Sequence, residues 1–276
     1  MTLTSAIESV RGAVVQVSLH AVDRDGTYRQ RWGKPFLAEP IGTGFLVNEE
    51  AVVVTANHVL VEGAKAIGIL PNASLHIGLA QPNSEHMRGN FTLVGFEVLL
   101  QDDLHDVAVL RLQQNPFRGE IRSGIRIGDK DLPMLFATAK LDPARPSDGT
   151  AIAVSGYPLS SAVLVSTSGH VASSWGFEVK EVELPNAPAG FRMPQVSDAY
   201  IGDVEVNPGN SGGPVYRVED GVVIGVCVAV RTAPVLDPSG QSAQNLAFTT
   251  GLSVIVPVRY VIDALEKVGM SWERSA

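Results

Sequence analysis

The sequence predicts an all-β fold of the sandwich or barrel type, divided into two halves and followed by a C-terminal helix. Short runs rich in Val and Ile recur between turns of Gly, Pro, Asn and Asp, a pattern typical of such folds and not of alternating βαβ units. Residues 115–149 contain four prolines and many charges, which indicates a connection between the halves. From Arg259 onward, apolar side chains repeat with the helical period.

The predicted strands follow one another along the chain at residues 13–19, 42–47, 51–56, 96–100, 106–112, 150–157, 162–169, 221–230 and 252–258. Two further segments, 71–92 and 173–197, are expected to be long surface loops, and loops of that length often carry function. One face of the final helix is apolar and is formed by Val261, Ile262, Leu265 and Val268.

The composition excludes several classes of protein. Of the 276 residues, 45% are hydrophobic and 18% are charged, so the chain can bury a sizeable core and is neither a disordered tail nor a fibre. The 21 Lys and Arg residues against 29 Asp and Glu give a net charge of −8, which disfavours binding to nucleic acid. The single cysteine, Cys227, allows no intrachain disulfide and is expected to be a buried thiol.

Targeting signals are not evident in the sequence. Glu8 and Arg11 interrupt the apolar N-terminal region, so no signal peptide is expected. The longest uncharged stretch, 151–177, contains Gly and Pro and cannot span a bilayer as a helix. These observations predict a cytoplasmic protein without a membrane partner.

The segment VNPGNSGGPVY places Ser211 in a glycine-dense turn between two predicted strands. A serine nucleophile needs an exposed hydroxyl on a sharp turn, with backbone N–H groups directed at the developing oxyanion. Gly209 and Gly212 permit such a backbone, and the N–H groups of Gly209 and Ser211 are the natural donors. The alternative is an ordinary Gly-rich hairpin in which the serine satisfies a backbone group.

A histidine and an aspartate have sequence contexts that suit this serine. His58 follows the predicted strand of VVVTANHVL, where small neighbours allow its imidazole to face a cleft and act as general base and general acid. Asp106 opens the apolar run VAVL, and a carboxylate at the edge of a core suits an aspartate that orients a histidine. A structural histidine and a solvated turn aspartate are the alternatives. The other five histidines are expected to be surface or loop groups.

The order of these residues separates two hydrolase types. Residues 209–213 also fit the G-x-S-x-G elbow of α/β-hydrolases, but that fold requires a helix after the serine and a histidine further along the chain. Here Pro214 and a strand-like run follow Ser211, and the last histidine is His170. The order His58, Asp106, Ser211 instead matches the chymotrypsin-type arrangement.

The motifs GTGFLV, TANHVL, DVAVLRL, SGYPL, STSGHVASS and NPGNSGGPV closely resemble those of the trypsin/chymotrypsin clan, especially its disulfide-free, HtrA-like bacterial branch. The resemblance covers roughly residues 12–268, excluding the long loops. It implies two six-stranded antiparallel β-barrels with the active site between them. The implied division is an N-terminal barrel at 1–115, a linker at 116–149, a C-terminal barrel at 150–258, and a helix and tail at 259–276.

The same resemblance implies roles for individual residues. His58 is the base, Asp106 orients it, Ser211 is the nucleophile of an acyl-enzyme mechanism, and Gly209, Asn210 and Ser211 form the oxyanion hole. Digestive relatives have an aspartate where Asn210 stands, so activation by N-terminal clipping is not expected. HtrA-like proteins usually carry a PDZ domain after the protease domain, and none is expected in this chain.

The substrate pocket is assigned, by the same resemblance, to Glu205, Val206, Val228, Ala229, Val230 and Ser253. The small apolar side chains at 228–230 favour a medium aliphatic residue at the cleaved bond. Glu205 leaves an alternative open, because a carboxylate at the pocket base would attract Lys or Arg.

Together these observations predict a trypsin-like serine endopeptidase that acts on peptides or unfolded proteins. No spacing typical of a metal site is present, so neither a metal nor a cofactor is expected. A regulatory protein partner is possible, because filled catalytic positions do not establish a competent geometry. The alternative function is a non-catalytic or partner-activated protease-fold module used for binding or signalling.

Overall fold

A computed structural model describes residues 1–22, 36–70, 72–80, 91–121, 125–127, 136–183, 192–236 and 242–274. In these ranges the chain forms two antiparallel β-sheets and three α-helices. The helices are α1 (Leu3–Arg11), α2 (Asn57–Ile69) and α3 (Val258–Lys267). The strands are β1 (Val14–Val22), β2 (Phe36–Leu46), β3 (Val52–Ala56), β4 (Ala73–Ala80), β5 (Phe91–Val94), β6 (Phe96–Asp102), β7 (Val107–Leu112), β8 (Ile125–Ile127), β9 (Ala151–Gly156), β10 (Val165–Glu183), β11 (Arg192–Gly202), β12 (Pro214–Arg217), β13 (Val223–Leu236) and β14 (Ser242–Pro257).

The first sheet is a ring completed by a bent strand. Its strand order is β6-β7-β3-β2-β1-β4-β5-β8. Strand β5 ends at Val94 and β6 begins at Phe96, so Gly95 alone joins two strands from opposite parts of this order. If β5 and β6 are counted as one bent strand, the ring has six strands, and β8 adds to its β5 portion. The second sheet is a closed six-stranded barrel in the order β10-β11-β14-β13-β12-β9. The two-barrel, all-β class is therefore confirmed.

The interiors of the two barrels are filled by the Val- and Ile-rich runs that predicted the strands. In β3 all five residues are buried, and in β7 five of six are buried. The second barrel encloses Cys227, as expected, and burial raises the pKa of this thiol to about 12. The thiol therefore stays protonated at neutral pH and acts as a small apolar core residue.

The prediction that residues 71–92 and 173–197 form long surface loops is wrong where the structure describes these residues. Strand β4 occupies most of the first segment up to residue 80, and residues 81–90 lie outside the described ranges. In the second segment β10 and β11 continue as a paired ribbon, with Val179 opposite Val196. The apolar side chains of this ribbon face solvent, since Trp175 is 76% exposed and Phe177 is 59% exposed. Without a buried face, the segment lacks the pattern from which a core strand is predicted.

Two of the three described helices were not anticipated. Helix α1 starts at a capping box in which Thr2 and Ser5 exchange hydrogen bonds, and it buries Ala6 and Val10. Helix α2 begins directly after β3. Its sequence lacks a usual helix-start signal, because Ala56 occupies the N-cap position and makes no side-chain capping hydrogen bond. Helix α3 is confirmed, with Val261, Ile262 and Leu265 on its buried face. None of the helices in the described part of the chain has the length and apolar character that crossing a membrane requires.

The exact boundaries at residues 115, 149 and 258 remain a prediction. Within the expected linker, β8 pairs with β5, and Leu141 forms isolated bridges with Val223 and Arg274. The connecting segment is thus hydrogen-bonded to both sheets where it is described.

Asp198 of β11 holds together segments that are distant in sequence. Its carboxylate accepts hydrogen bonds from Arg145, Arg259 and Tyr260. The Tyr260 ring also stacks on the ring of His105, which lies in the turn between β6 and β7, with ring centroids 3.7 Å apart. Burial alone raises the pKa of Asp198, but the hydrogen bonds from Tyr260, Arg259 and Arg145 outweigh it and hold the pKa below its ordinary value.

Replacing Asp198→Asn should therefore lower the free energy of unfolding by about 2 kcal/mol at pH 7. Because the folded-state pKa is lowered, the carboxylate stabilises the protein above its unfolded-state pKa of about 3.9. This stabilisation is lost as the pH falls through the folded-state value. Urea unfolding of the wild type and the variant at a series of pH values should show the difference shrinking below about pH 4. Asp263→Asn, an exposed change of the same charge on α3, is the control; equal stability of the two variants would contradict the role of Asp198.

Candidate active site

His58 is the second residue of α2, and two hydrogen bonds fix it against Asp106. The backbone N–H of His58 donates to Oδ1 of Asp106 at 2.8 Å, and Nδ1 lies 2.8 Å from Oδ2. Asp106 is buried, whereas the His58 side chain is 32% exposed. With an ionised carboxylate, Nδ1–H is the donor, which makes Nε2 the basic nitrogen of the imidazole.

The backbone around Asp106 is held by a second set of hydrogen bonds. Asp106 has a left-handed φ of 57°, which is uncommon for a non-glycine residue. The N–H of Asn57 donates to the Asp106 carbonyl at 3.1 Å, and the Asn57 amide donates to Asp103 at 2.6 Å. Gln101 donates to the Asn57 amide oxygen at 2.7 Å. These supporting residues were not predicted from the sequence; the asparagine directly before the histidine was the available signal.

Hydrogen bonds to its backbone carbonyl groups fix the conformation of the turn that carries Ser211. The carbonyl of Pro208 accepts from the N–H of Leu159 at 2.7 Å, and the carbonyl of Asn210 accepts from the N–H of Gly213 at 2.9 Å. In a trans peptide the C=O and N–H point in opposite directions. The N–H groups of Gly209 and Ser211, which belong to these two peptides, therefore point away from Leu159 and Gly213.

The remaining N–H groups of the turn are already used. The N–H of Asn210 donates to Asn207 at 2.9 Å, and the N–H of Gly212 donates to Cys227 at 2.7 Å. Among the described residues, the N–H groups of Gly209 and Ser211 donate to no backbone carbonyl outside regular helices and strands. The turn thus presents two N–H groups, and Asn210, the third residue assigned to the oxyanion hole, directs its N–H elsewhere.

Thr43 of β2 joins the Ser211 turn to the first barrel. Its N–H donates to the Ser211 carbonyl at 2.9 Å, and its Oγ1 donates to the Gly209 carbonyl at 2.6 Å. The same Oγ1 accepts from the N–H of Tyr157 at 3.0 Å, and the Thr43 carbonyl accepts from Thr55 at 2.7 Å. Thr43 is fully buried. A residue of the GTGFLV motif therefore binds both sides of the Ser211 turn.

His58 and Ser211 line one cleft of about 340 Å³. Ser211 Oγ lies 3.4 Å from the carbonyl of Val228, a long and therefore weak hydrogen bond. Of the predicted pocket residues, Val206, Ala229 and Val230 line this cleft.

The other predicted pocket residues are placed differently, and they are absent from the described lining of the cleft. Glu205 is exposed, and its carbonyl accepts from Thr167 at 2.7 Å. Ser253 is fully buried and lies 3.4 Å from the Gly202 carbonyl. Val228 is buried and contributes its carbonyl beside Ser211. Ile41 and Glu62, which sequence analysis did not assign, also line the cleft.

The expectation that the other histidines are surface or loop groups is wrong for His20. It is buried in β1 and packs edge-on against His76 of β4, with ring centroids 5.8 Å apart. Burial lowers the pKa of both imidazole rings, and the neighbouring His76 lowers the pKa of His20 further. The alternation of β1 explains this placement, because Gln16, Ser18 and His20 share its second face and all three are buried.

Gly212 has a left-handed φ of 86°, and the atoms packed around it also leave no space for a side chain. A Cβ at this position would lie 2.1 Å from the carbonyl oxygen of Thr43, whereas Gly251, with a φ of 77°, has open space. Gly251→Ala should cost about 1 kcal/mol through backbone strain, and Gly212→Ala should cost at least about 2 kcal/mol more because the turn must move from Thr43. Chemical denaturation of both variants measures the difference; equal losses would contradict the close approach.

Comparison with known proteins gives a family match over residues 42–226, to the trypsin-like peptidase domain. A probable periplasmic DegP-like serine endoprotease of Pseudomonas fulva is 25% identical over 244 residues, covering 87% of this chain and 38% of the relative. The putative serine protease HhoB of Synechocystis is 27% identical over 273 residues, covering 90% and 53%. The chain thus spans less than two thirds of the length of these relatives.

Two solved structures share the fold. The active form of the Rv3671c protease of M. tuberculosis is 18% identical with a TM-score of 0.54, covering 98% of this chain and 86% of that one. An HtrA-type AlgW protease variant with a decapeptide is 18% identical with a TM-score of 0.52, covering 98% and 68%. At this identity the likeness concerns the fold.

The named relatives do not support the predicted cytoplasmic location, because those from Pseudomonas are named periplasmic. Their names and the family match agree with the motifs from which the resemblance was drawn. The match covers more than half of the chain and includes the segments around His58, Asp106 and Ser211. The chain therefore belongs to the trypsin-like peptidase domain family, with HtrA- and DegP-like serine proteases among its relatives.

Proposed function

We propose that this chain is a serine endopeptidase that cleaves peptide bonds with Ser211 as nucleophile, His58 as general base and Asp106 as the residue that orients His58. The observation that carries the proposal is the shape of the Ser211 turn. Its hydrogen bonds turn the N–H groups of Gly209 and Ser211 away from the turn's own acceptors, while Ser211 and His58 line the same cleft.

The reaction follows from this arrangement. Ser211 Oγ attacks the carbonyl carbon of the scissile bond and gives its proton to Nε2 of His58. The buried Asp106 carboxylate, 2.8 Å from Nδ1, stabilises the imidazolium that forms. His58 then donates the proton to the leaving amine, and an acyl-enzyme ester remains on Ser211. A water molecule, deprotonated by His58, hydrolyses the ester and restores the hydroxyl.

The oxyanion of each tetrahedral intermediate needs donors that are fixed before the reaction. Donors of this kind lower the barrier because they need no reorganisation as charge develops, and the loss of one typically costs about 10²- to 10³-fold in kcat. We assign this role to the N–H groups of Gly209 and Ser211. Asn210 contributes through its place in the turn, because its own N–H is bonded to Asn207.

The rival function is a protease-fold module that binds without catalysis or requires a partner for activation. In such a state the peptide between Pro208 and Gly209 could be reversed, so that the Pro208 carbonyl would occupy the oxyanion site. The hydrogen bond from Leu159 to the Pro208 carbonyl favours the opposite orientation. This supports a catalytic function for the chain as it stands.

Ser211→Ala should reduce kcat for peptide hydrolysis by about 10⁶-fold, because the triad acts as a unit, while thermal stability stays unchanged. Hydrolysis of an unfolded protein substrate, followed together with a melting curve, makes the measurement. Ser271→Ala, at an exposed position near the C-terminus, is the control and should retain full activity. Activity that survives in Ser211→Ala, or its absence from the wild-type protein, would favour the rival function.

We propose a medium aliphatic residue on the acyl side of the cleaved bond. Val206, Ala229 and Val230 supply an apolar wall, and Glu205, which is exposed, is absent from the described lining of the cleft. A cationic side chain would be desolvated against this wall, and the three residues that form the wall offer it no anionic partner.

Cleavage after Val, Ile or Leu should therefore exceed cleavage after Lys or Arg by about 100-fold or more in kcat/KM. A peptide library whose products are sequenced by mass spectrometry measures this preference. Dominant cleavage after Lys or Arg would contradict the assignment of the wall.

A further inference from the structure

We propose that Glu62 forms an acidic subsite on the leaving-group side of the cleft and selects substrates with Lys or Arg one or two residues after the scissile bond. The inference rests on the proposed function, since it assigns a second specificity to the same cleft. It concerns a residue that neither the motifs nor the apolar wall includes.

Glu62 and His58 share one face of α2. They are four residues apart, which places their side chains one above the other at a rise of about 6 Å. Both line the cleft, together with Ile41 of β2 and with Ser211. Glu62 therefore lies on the side of α2 that borders the cleft, one helical turn from His58.

The charge of Glu62 is available to a ligand. Glu62 is exposed, and among the described residues no hydrogen bond or ion pair involves its side chain. Lys65, the nearest cation on α2, lines a different groove with Val61 and Val98. Among the described residues that line the cleft, the ionisable side chains are His58, Glu62 and the buried Cys227, whose thiol stays protonated at neutral pH, so Glu62 is the one carboxylate there. Nothing in that lining neutralises it.

The chemistry of His58 indicates which part of the substrate Glu62 faces. The apolar wall of Val206, Ala229 and Val230 belongs to the second barrel and holds the residue whose carbonyl is attacked. His58 must face the leaving amine, because His58 donates a proton to that amine. Glu62 lies beyond His58 on the first barrel, so it meets the chain that begins with the leaving amine.

The spacing limits this preference to a short stretch. A separation of about 6 Å from His58 corresponds to one or two residues of extended peptide at about 3.3 Å each. An ammonium or guanidinium on those residues can approach the carboxylate, whereas an acidic residue would be repelled. Because the pair is exposed to solvent, we expect a preference of about fivefold, which salt should weaken.

The test uses internally quenched peptides that are identical on the acyl side, with Val before the scissile bond. They differ in one residue after it, which is Lys, Gln or Glu at the first or the second position. The ratio of kcat/KM between the Lys and Gln peptides is measured for the full chain at low and high salt. Mass spectrometry confirms that every peptide is cut at the same bond.

Four proteins are compared: the wild type, Glu62→Gln, Glu62→Lys and the control Glu266→Gln, an exposed position on α3 with the same charge change. The Lys/Gln ratio should be about fivefold in the wild type and the control. It should fall to about one in Glu62→Gln, and Glu62→Lys should prefer the Glu peptide. Melting curves establish that each variant is folded.

The outcomes separate this inference from the function beneath it. A wild-type ratio near one, or a ratio that Glu62→Gln leaves unchanged, overturns the acidic subsite while Ser211-dependent hydrolysis stands. No hydrolysis of any peptide overturns both. A ratio that falls equally in Glu266→Gln would attribute the effect to net charge and would also overturn the subsite.

Discussion

The turn that carries Ser211 depends on hydrogen bonds from a residue of the opposite barrel. Thr43 donates to the carbonyls of Gly209 and Ser211, the N–H of Leu159 donates to the carbonyl of Pro208, and the N–H of Gly213 donates to the carbonyl of Asn210. With all four carbonyls engaged, the peptide planes are fixed, and the two N–H groups needed for an oxyanion are fixed with them. The position of Ser211, the proposed nucleophile, therefore depends on the docking of the two barrels, and both barrels contribute to the proposed site.

A similar dependence holds for the histidine. Asp106 receives both the backbone and the side chain of His58, and Asn57 holds the unusual backbone of Asp106. The β6–β7 turn that contains Asp106 is in turn anchored to α3 through the stacked rings of His105 and Tyr260. His58, the proposed base, is thus positioned within the first barrel, and Ser211, the proposed nucleophile, is positioned by contacts across the interface between the barrels.

Much of this could be predicted from local sequence, and the remainder depends on contacts that local sequence does not contain. The Val- and Ile-rich runs predict strands because their side chains are buried, and the glycines around Ser211 predict its turn because no Cβ fits there. The exposed ribbon of β10 and β11 was missed because its apolar face covers no core. Among the pocket residues, Glu205 and Ser253 were assigned from the family resemblance, whereas Ile41 and Glu62 reach the cleft from distant elements that only the fold brings together.

The proposed mechanism requires that Ser211 is an activated nucleophile in a cleft that is formed before substrate binds. Reaction with a fluorophosphonate, followed by intact-mass analysis and peptide mapping, measures this reactivity. We expect one adduct per chain on Ser211, formed without a partner protein and slowed strongly in a His58→Ala variant. An unmodified Ser211 in folded protein, or an adduct on another residue, would contradict it.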